Sequence, residues 1–560
     1  MDPLGRRCVF LFSALAICAG DIFTPEQVQQ LDTFVKDVMS CSHSPGFTLT
    51  AVKGKEIFTR GYGKRDVHKG LNVTEETLFC IGSVTKAMTT TLLAKLLPTK
   101  FPQSSWDTKV SYILGDSFKF TSTDLTDHAT LRDILSHRTG LVAENYGLIA
   151  GYNKSITRAY MAKKLRYLPS SQPLRYQFEY NNWMYFLAGY VAEVLAEGEE
   201  SWEDLLTKHV LNPLGMDSTA ILKDLNELAT KAEMALPYVF FDGEFVRLSS
   251  AAFSIHPAEP AGAVCSSAKD MAKWLQFLLR SPKNIVNETC FNETMKPIQL
   301  TPEQAIGGLK RPTFPIDMYT FATGMGWFTG AYRGRHLVLH SGAFHSYTSL
   351  LWLFPDEDLG IFVSTNGIAE HDDPKLTTMM YASDLLLGET PWLNSTTACS
   401  FPEPWKVKSS KNSTEFSRQE VHSERHLTEY VGVYGNRFVG DMNVFINRTA
   451  NDTLQLNLGY NIQTFLYATS EKDVFRWKFI GNLWFLSKIF PEFHAGNIQF
   501  KENNNGQIYS LVSSAAGKEF VFRKDVRFAD TASTGESTYE MTDKKFTLAL
   551  LTLFVIFSCQ

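Results

Sequence analysis

The sequence predicts an α+β fold, in which an antiparallel sheet covered by helices is followed by a second, smaller antiparallel β unit. Two observations carry the first part. Alternating apolar strands stand near both ends of residues 21–395, and amphipathic helical patterns lie between them. A third carries the second part. Residues 396–424 turn polar, rich in Ser, Lys and Asn with Pro402 and Pro404, and from Tyr430 the text becomes short alternating segments punctuated by Gly and Asn. At 560 residues the chain exceeds what one ordinary core serves, so two or three domains are expected.

In chain order, residues 47–52 and 57–62 alternate around Lys53-Gly54-Lys55, a hairpin signal. Residues 85–97 have helical period, with Ala, Met and Leu on one side and no breaker inside. Residues 183–196 form a second amphipathic helix, and 269–279 a third with Ser266 or Ser267 as its N-cap. Residues 337–340 are a short strand. Residues 347–353 and 360–364 are apolar, β-rich runs split by the turn Pro355-Asp356-Glu357-Asp358. Residues 396–424 read as a linker. Residues 425–526 then read as a small β-barrel or sandwich, with 442–446, 454–458 and 520–522 as its clearest strands.

Both ends point to export. Arg6 and Arg7, the apolar run 8–19 and the small residues Cys18-Ala19-Gly20 make residues 1–20 a secretory signal; a membrane anchor is the alternative, but the run is short for a bilayer. At the other end, residues 527–560 end in an apolar run, 546–558, behind a polar spacer, 536–545, and the small residues Ala532-Ser533-Thr534-Gly535. That pattern predicts a lipid anchor (GPI type) at Ser533, with a short transmembrane tail as the other reading. Either places the mature chain on a membrane, outside the cell. Glycosylation triplets at Asn72, Asn153, Asn287, Asn292, Asn394, Asn412, Asn447 and Asn451 agree with export. Outside the two end segments the cysteines are Cys41, Cys80, Cys265, Cys290 and Cys399, enough for two disulfides and one free thiol, with the pairing open.

A net charge of −5, from 54 Lys and Arg against 59 Asp and Glu, offers no broad basic face, so nucleic acid is not an expected partner. No GxSxG elbow, HExxH helix, Walker loop or GxGxxG loop occurs, and no cofactor or metal is implied.

The chemistry-bearing text begins at Ser83-Val84-Thr85-Lys86, which follows Gly82 and opens a helix. Ser and Lys three apart lie on one helical face, and the helix N-terminus favours a developing anion at the serine. A buried lysine there loses affinity for its proton and accepts the serine's. Taken alone, the tetrapeptide is better explained by an N-cap serine with a solvated lysine. Tyr180-Asn181-Asn182 precedes the second helix; a phenol near cations deprotonates or relays a proton, and Asn182 can hold the lysine and a substrate amide together. His340-Ser341-Gly342 ends a strand, and Gly342 would let a substrate backbone lie along its edge.

In order, spacing and local structure, Ser83-xx-Lys86, Tyr180-x-Asn182 and His340-x-Gly342 resemble the three motifs of serine β-lactamases and penicillin-binding proteins, in the tyrosine form of the class C-like branch. Four scaffold phrases agree: Leu131 to Leu141 looks like "LLSHTSGL", Pro213-Leu214-Gly215-Met216 like "PLGM", Pro260-Ala261-Gly262 like the start of "PAGG", and Gly324-Met325-Gly326-Trp327 like "GLGW". The region from Tyr430 resembles the lipocalin-like barrel appended to some members. The resemblance implies a β-lactamase/transpeptidase-like sheet with a helical subdomain, and an acyl-enzyme mechanism. Ser83 attacks, Lys86 and Tyr180 move the proton, Asn182 and His340 line the site, and backbone N–H groups of Ser83 and Ala343 hold the oxyanion. Its substrates are small molecules or peptides.

Two positions depart from the family pattern. His340 stands where lysine is usual, which weakens carboxylate binding; a neutral imidazole would still donate a hydrogen bond, and ester or peptide hydrolysis is expected over antibiotic hydrolysis. Ala263 stands where a second glycine is usual. The rival reading is a catalytically silent extracellular binding or matrix protein that keeps the fold.

Overall fold

The computed structural model describes residues 22–100, 105–280, 285–301, 314–368, 374–405, 423–450, 452–489, 497–515 and 518–530. Its frame is a nine-stranded sheet. In spatial order the strands are Leu71–Asn72, Glu56–Asp66, Gly46–Lys53, Leu359–Thr365, Tyr347–Phe354, Arg335–Phe344, Phe328–Tyr332, Met318–Thr323 and Gln299–Leu300. Every neighbouring pair is antiparallel. The N-terminal hairpin therefore slots against the sheet's last strand in sequence, with Leu49 opposite Val363.

Strand alternation decides what each face meets. Phe47, Leu49 and Ala51 pack with Leu31, Phe34, Val35 and Val38 of helix Pro25–Cys41 and with Met379 and Met380 of helix Pro374–Leu386. On the opposite face the Thr50 hydroxyl donates to the Ala268 carbonyl (3.0 Å), at the start of helix Ala268–Arg280. Helix Pro25–Cys41 starts cleanly because Pro25 sits at its first position and Thr24 and Gln27 form a capping box. Ser267 caps Ala268–Arg280, as one of the two predicted serines, accepting from the Asp270 amide. Between the sheet's two halves of sequence, residues 105–235 form the helical subdomain around helices Thr85–Lys100 and Asn182–Leu195, both buried almost all round.

The second unit is a closed barrel of eight antiparallel strands from Gly432–Asn436 to Lys518–Arg523, the first pairing with the last. Of the two sequence alternatives, barrel and sandwich, the structure has the barrel. Its interior is packed with Tyr434, Met442, Leu456, Phe475, Phe500 and Phe522. Residues 396–405 are not linker-like: Cys399 is bonded to Cys41, and Phe401 and Trp405 pack in an aromatic cluster with Trp392 and Phe314. Likewise Phe528 packs on Tyr152 and Tyr160, and its amide donates to Asp441 (2.8 Å), so residues 527–530 belong to the folded unit rather than to a spacer. The second disulfide joins Cys80 and Cys265, and Cys290 is free.

The expected membrane partner is corrected. Among the described residues no helix is long and apolar enough to cross a membrane. The 17-residue helix Pro25–Cys41 falls short of the roughly 20 apolar residues a span requires and carries Glu26, Asp32, Lys36 and Asp37. Residues 1–20, Ser533 and the run 546–558 lie outside the described residues, as do Asn412 and Asn451. Of the other triplet asparagines, Asn72, Asn153, Asn287, Asn292 and Asn394 are exposed, whereas Asn447 is half-buried and donates to the Gln455 amide oxygen (2.7 Å).

Candidate active site

From Leu78 to Ala94 every residue is buried except Ser83. The serine sits on the tight turn Gly82–Val84 that leads into helix Thr85–Lys100. Gly82 has φ +52°, and a side chain there would meet the Ala343 amide nitrogen at 2.6 Å. The missing side chain at Gly342 is taken up by the Ile81 carbonyl and the Ser349 hydroxyl, so its visible reason is close packing of two backbones. Together these glycines bring the end of strand Arg335–Phe344 against the turn that carries Ser83. The Cys80–Cys265 disulfide and the Ile81 amide, which donates to the Val264 carbonyl (2.9 Å), fix the same turn from the other side.

Lys86 is wholly buried, and its Nζ has three oxygen neighbours: Asn182 Oδ1 (2.8 Å), the Ala261 carbonyl (2.8 Å) and Ser83 Oγ (2.9 Å). Burial holds its pKa well below the ordinary lysine value. A neutral amine has two hydrogens and one lone pair. The amide oxygen and the backbone carbonyl only accept, so they take both hydrogens, and the lone pair is left facing Ser83.

Tyr180 is buried, with its ring centroid 4.9 Å from Lys86 Nζ. Burial pushes its hydroxyl above the ordinary phenol value, partly offset by its interaction with Ser83. The raised value favours the protonated phenol, so of the two sequence alternatives the proton relay is the one that fits. Asn182 opens helix Asn182–Leu195, which Asn181 caps, and its Nδ2 donates to Asn145 Oδ1 (3.3 Å). His340 is buried, with its pKa pushed down to about 3 by burial and by Lys86. Its Nδ1 lies 2.6 Å from the Ser341 carbonyl, which only accepts; the single N–H of the neutral ring is spent there, and Nε2 offers a lone pair. The donor expected at this position is therefore an acceptor. Among the described residues no cluster of three or more His, Cys, Asp or Glu is placed to hold a metal ion.

The structure thus gathers Ser83, Lys86, Tyr180, Asn182, His340, Gly342 and Ala343 from three distant stretches. It also brings in three groups that the motif reading omitted: the Ala261 carbonyl, Asn145 and His137, on whose ring Tyr180 lies. The Ala261 carbonyl has no side-chain signature. Asn145 and His137 follow one of the scaffold phrases or stand inside it.

A family model for beta-lactamase matches residues 31–382. The chain belongs to the beta-lactamase family. Among relatives, this beta-lactamase-family chain is 29% identical over 344 residues to an unguisins hydrolase of Aspergillus campestris, covering 60% of this chain and 61% of the relative. It is 27% identical over 362 residues to protein flp of Staphylococcus aureus, covering 63% and 66%. The chain thus spans about three fifths of the length of the curated relatives it matches first. Among solved structures, the octameric penicillin-binding protein homologue from Pyrococcus abyssi superposes with a TM-score of 0.54 at 21% identity, covering 89% of this chain and 98% of that one. A D-amino acid amidase from Ochrobactrum anthropi gives 0.52 at 20% identity, covering 65% and 98%. These two likenesses are of fold.

Proposed function

We propose that this beta-lactamase-family protein is an exported serine hydrolase that opens esters, amides or peptides through an acyl-enzyme on Ser83. The observation that carries the reading is a wholly buried Lys86 whose Nζ lies 2.9 Å from Ser83 Oγ, where burial favours the uncharged amine with its lone pair towards the serine. Ser83 attacks the substrate carbonyl while Lys86 takes its proton. Backbone N–H groups of Ser83 and Ala343 receive the oxyanion. The proton passes from Lys86 through the neutral Tyr180 phenol to the leaving oxygen or nitrogen, and water later releases the acyl group by the same route in reverse. The hydrolase relatives in Aspergillus support the reaction class.

The electrostatics select a neutral substrate. Burial lowers the proton affinity of Lys86 and takes the pKa of His340 down to about 3, so both are poor fixed cations for a substrate carboxylate. This favours a neutral ester or amide over a carboxylate-bearing β-lactam. Two disulfides and five exposed glycosylation triplets support an oxidising, extracellular destination.

The test is covalent labelling. A fluorophosphonate probe should place one adduct on Ser83, located by peptide mass spectrometry, and Ser83→Ala should take none. A folded wild-type protein that takes no label would favour the silent module instead.

A further inference from the structure

The proposed proton path uses Tyr180, and nothing in that path explains how the phenol is held. His137 does. It is 3% exposed and stands just beyond helix Leu131–Leu135. Its carbonyl accepts from the Glu179 amide (2.8 Å), and its Nδ1 accepts from the Asn181 amide (3.1 Å). One residue therefore grips the chain on both sides of Tyr180. Between those two bonds the Tyr180 ring lies over the imidazole, with centroids 4.4 Å apart and planes 33° apart. Tyr185 flanks the imidazole as well, 5.3 Å away, and its own hydroxyl is anchored to the Leu135 carbonyl (2.7 Å).

The chemistry of the clamp is restrictive. A backbone N–H only donates, so Nδ1 must be bare and the ring neutral, with its proton on Nε2. The backbone at His137 has φ +57°, a left-handed conformation that costs most side chains free energy and persists where the surroundings hold it.

We propose that His137 is the positioning residue for Tyr180, fixing the phenol against Ser83 and Lys86 by clamping residues 179 and 181 and supporting the ring between them. The proposal rests on the reading of Tyr180 as the proton relay. A relay works only within hydrogen-bond reach, and a misplacement near 1 Å costs roughly a hundredfold in rate.

The test reads kcat and KM with a p-nitrophenyl ester, alongside fluorophosphonate labelling of Ser83, in the full chain. His137→Phe keeps a ring and loses the acceptor. His137→Gly loses both but suits the left-handed backbone, so it serves if the larger ring does not fold. His137→Asn keeps an acceptor and tolerates φ above zero. Both His137→Phe and His137→Gly should lower kcat by roughly ten- to a hundredfold with KM within about twofold, and His137→Asn should restore most of it. In a Tyr180→Phe background the same changes should cost nothing further, because the group they position is gone. Equal losses in both backgrounds, or an unchanged kcat, would overturn the clamp while leaving the hydrolase intact. Absence of any Ser83 label on wild type would instead remove the parent reading, and the clamp with it.

Discussion

At the scale of single residues, the site is organised by subtraction of charge. Among the described residues no carboxylate is paired with Lys86; it meets two oxygens that only accept and one hydroxyl that can also donate. Burial then favours the uncharged amine. Arginine separates the two parts of this argument. Lys86→Arg keeps donors for Asn182 and Ala261 but stays protonated at any working pH, so it presents no lone pair. Where the variant folds, as circular dichroism would check, Ser83 labelling should fall by roughly 10²- to 10⁴-fold, the usual worth of a positioned base. A labelling rate near wild type would mean that some other group takes the serine proton. Ser83, Lys86 and Tyr180 were legible in the sequence because each sits in a motif with its own spacing. The roles of Asn145, His137 and Ala261 were not: His137 and Ala261 stood in scaffold phrases that assign no contact, a backbone oxygen has no side-chain signature, and Asn145 and His137 act across 37 and 43 residues on partners that only folding brings near.

At the scale of elements, the turn Glu259–Ala261 has two tasks: the Ala261 carbonyl holds Lys86, and the Pro260 carbonyl accepts from Thr89 (2.7 Å). A buried ionic network holds the turn from below. Arg158 reaches Glu193 (2.5 Å), Glu203 (2.6 Å) and Glu259 (2.7 Å), and His256 joins Glu259 through Nδ1 (2.8 Å) and the Ile156 carbonyl through Nε2 (2.8 Å). Both ring nitrogens of His256 face acceptors, which suits the imidazolium. Burial opposes that charge, but the bond to Glu259 and its negative charge outweigh burial and raise the pKa above 6.5. Burial likewise opposes the Glu259 charge, yet His256 and Arg158 bring its pKa down to about 2. The signs follow by linkage. The His256 contribution is full below pH 6.5 and is lost as pH rises through its raised folded value. The Glu259 contribution is full above pH 4.5 and is lost as pH falls towards 2. Both are present between about pH 4.5 and 6.5. Glu144, pushed up to about 7 by burial, adds a slope of its own, so the useful quantity is a difference. The melting temperature of wild type minus that of His256→Gln should be largest within that window and shrink above it. A difference that stays flat through pH 8 would show that His256 is not charged in the fold.

At the scale of the molecule, the barrel is fastened to both flanks of the site. On one flank Phe438 lies against Trp183, the residue after Asn182, with ring centroids 5.0 Å apart, and Tyr152 donates to the carbonyls of Phe438 and Val439 (3.1 Å each). On the other, Phe485 packs on His345, two residues beyond Ala343, and Trp484 packs on Phe241. Strand rhythm made a small antiparallel β unit readable in the sequence, but its docking was not, because the contacts join residues far apart in the chain, some from connecting turns and some, such as Trp477 and Phe520 on Tyr146, from strands. Gly459 is the tightest of these contacts. Its φ is +56°, and a side chain there would come within 2.5 Å of the Ala150 carbonyl and 2.6 Å of that of Gly151. The amides of Tyr460 and Asn461, just beyond it, both donate to Ala150 (2.8 and 3.0 Å). Gly459→Val meets two obstacles at once: a branched side chain in the left-handed region, costing about 1–3 kcal/mol, and a collision with backbone that has nowhere to move. The barrel strands themselves are untouched, so the change should undock the barrel rather than unfold it. Calorimetry should then resolve two melting transitions where wild type has one, and Ser83 labelling should slow as Trp183 and His345 lose their cover. A single transition with labelling at the wild-type rate would mean that the barrel does not support the site.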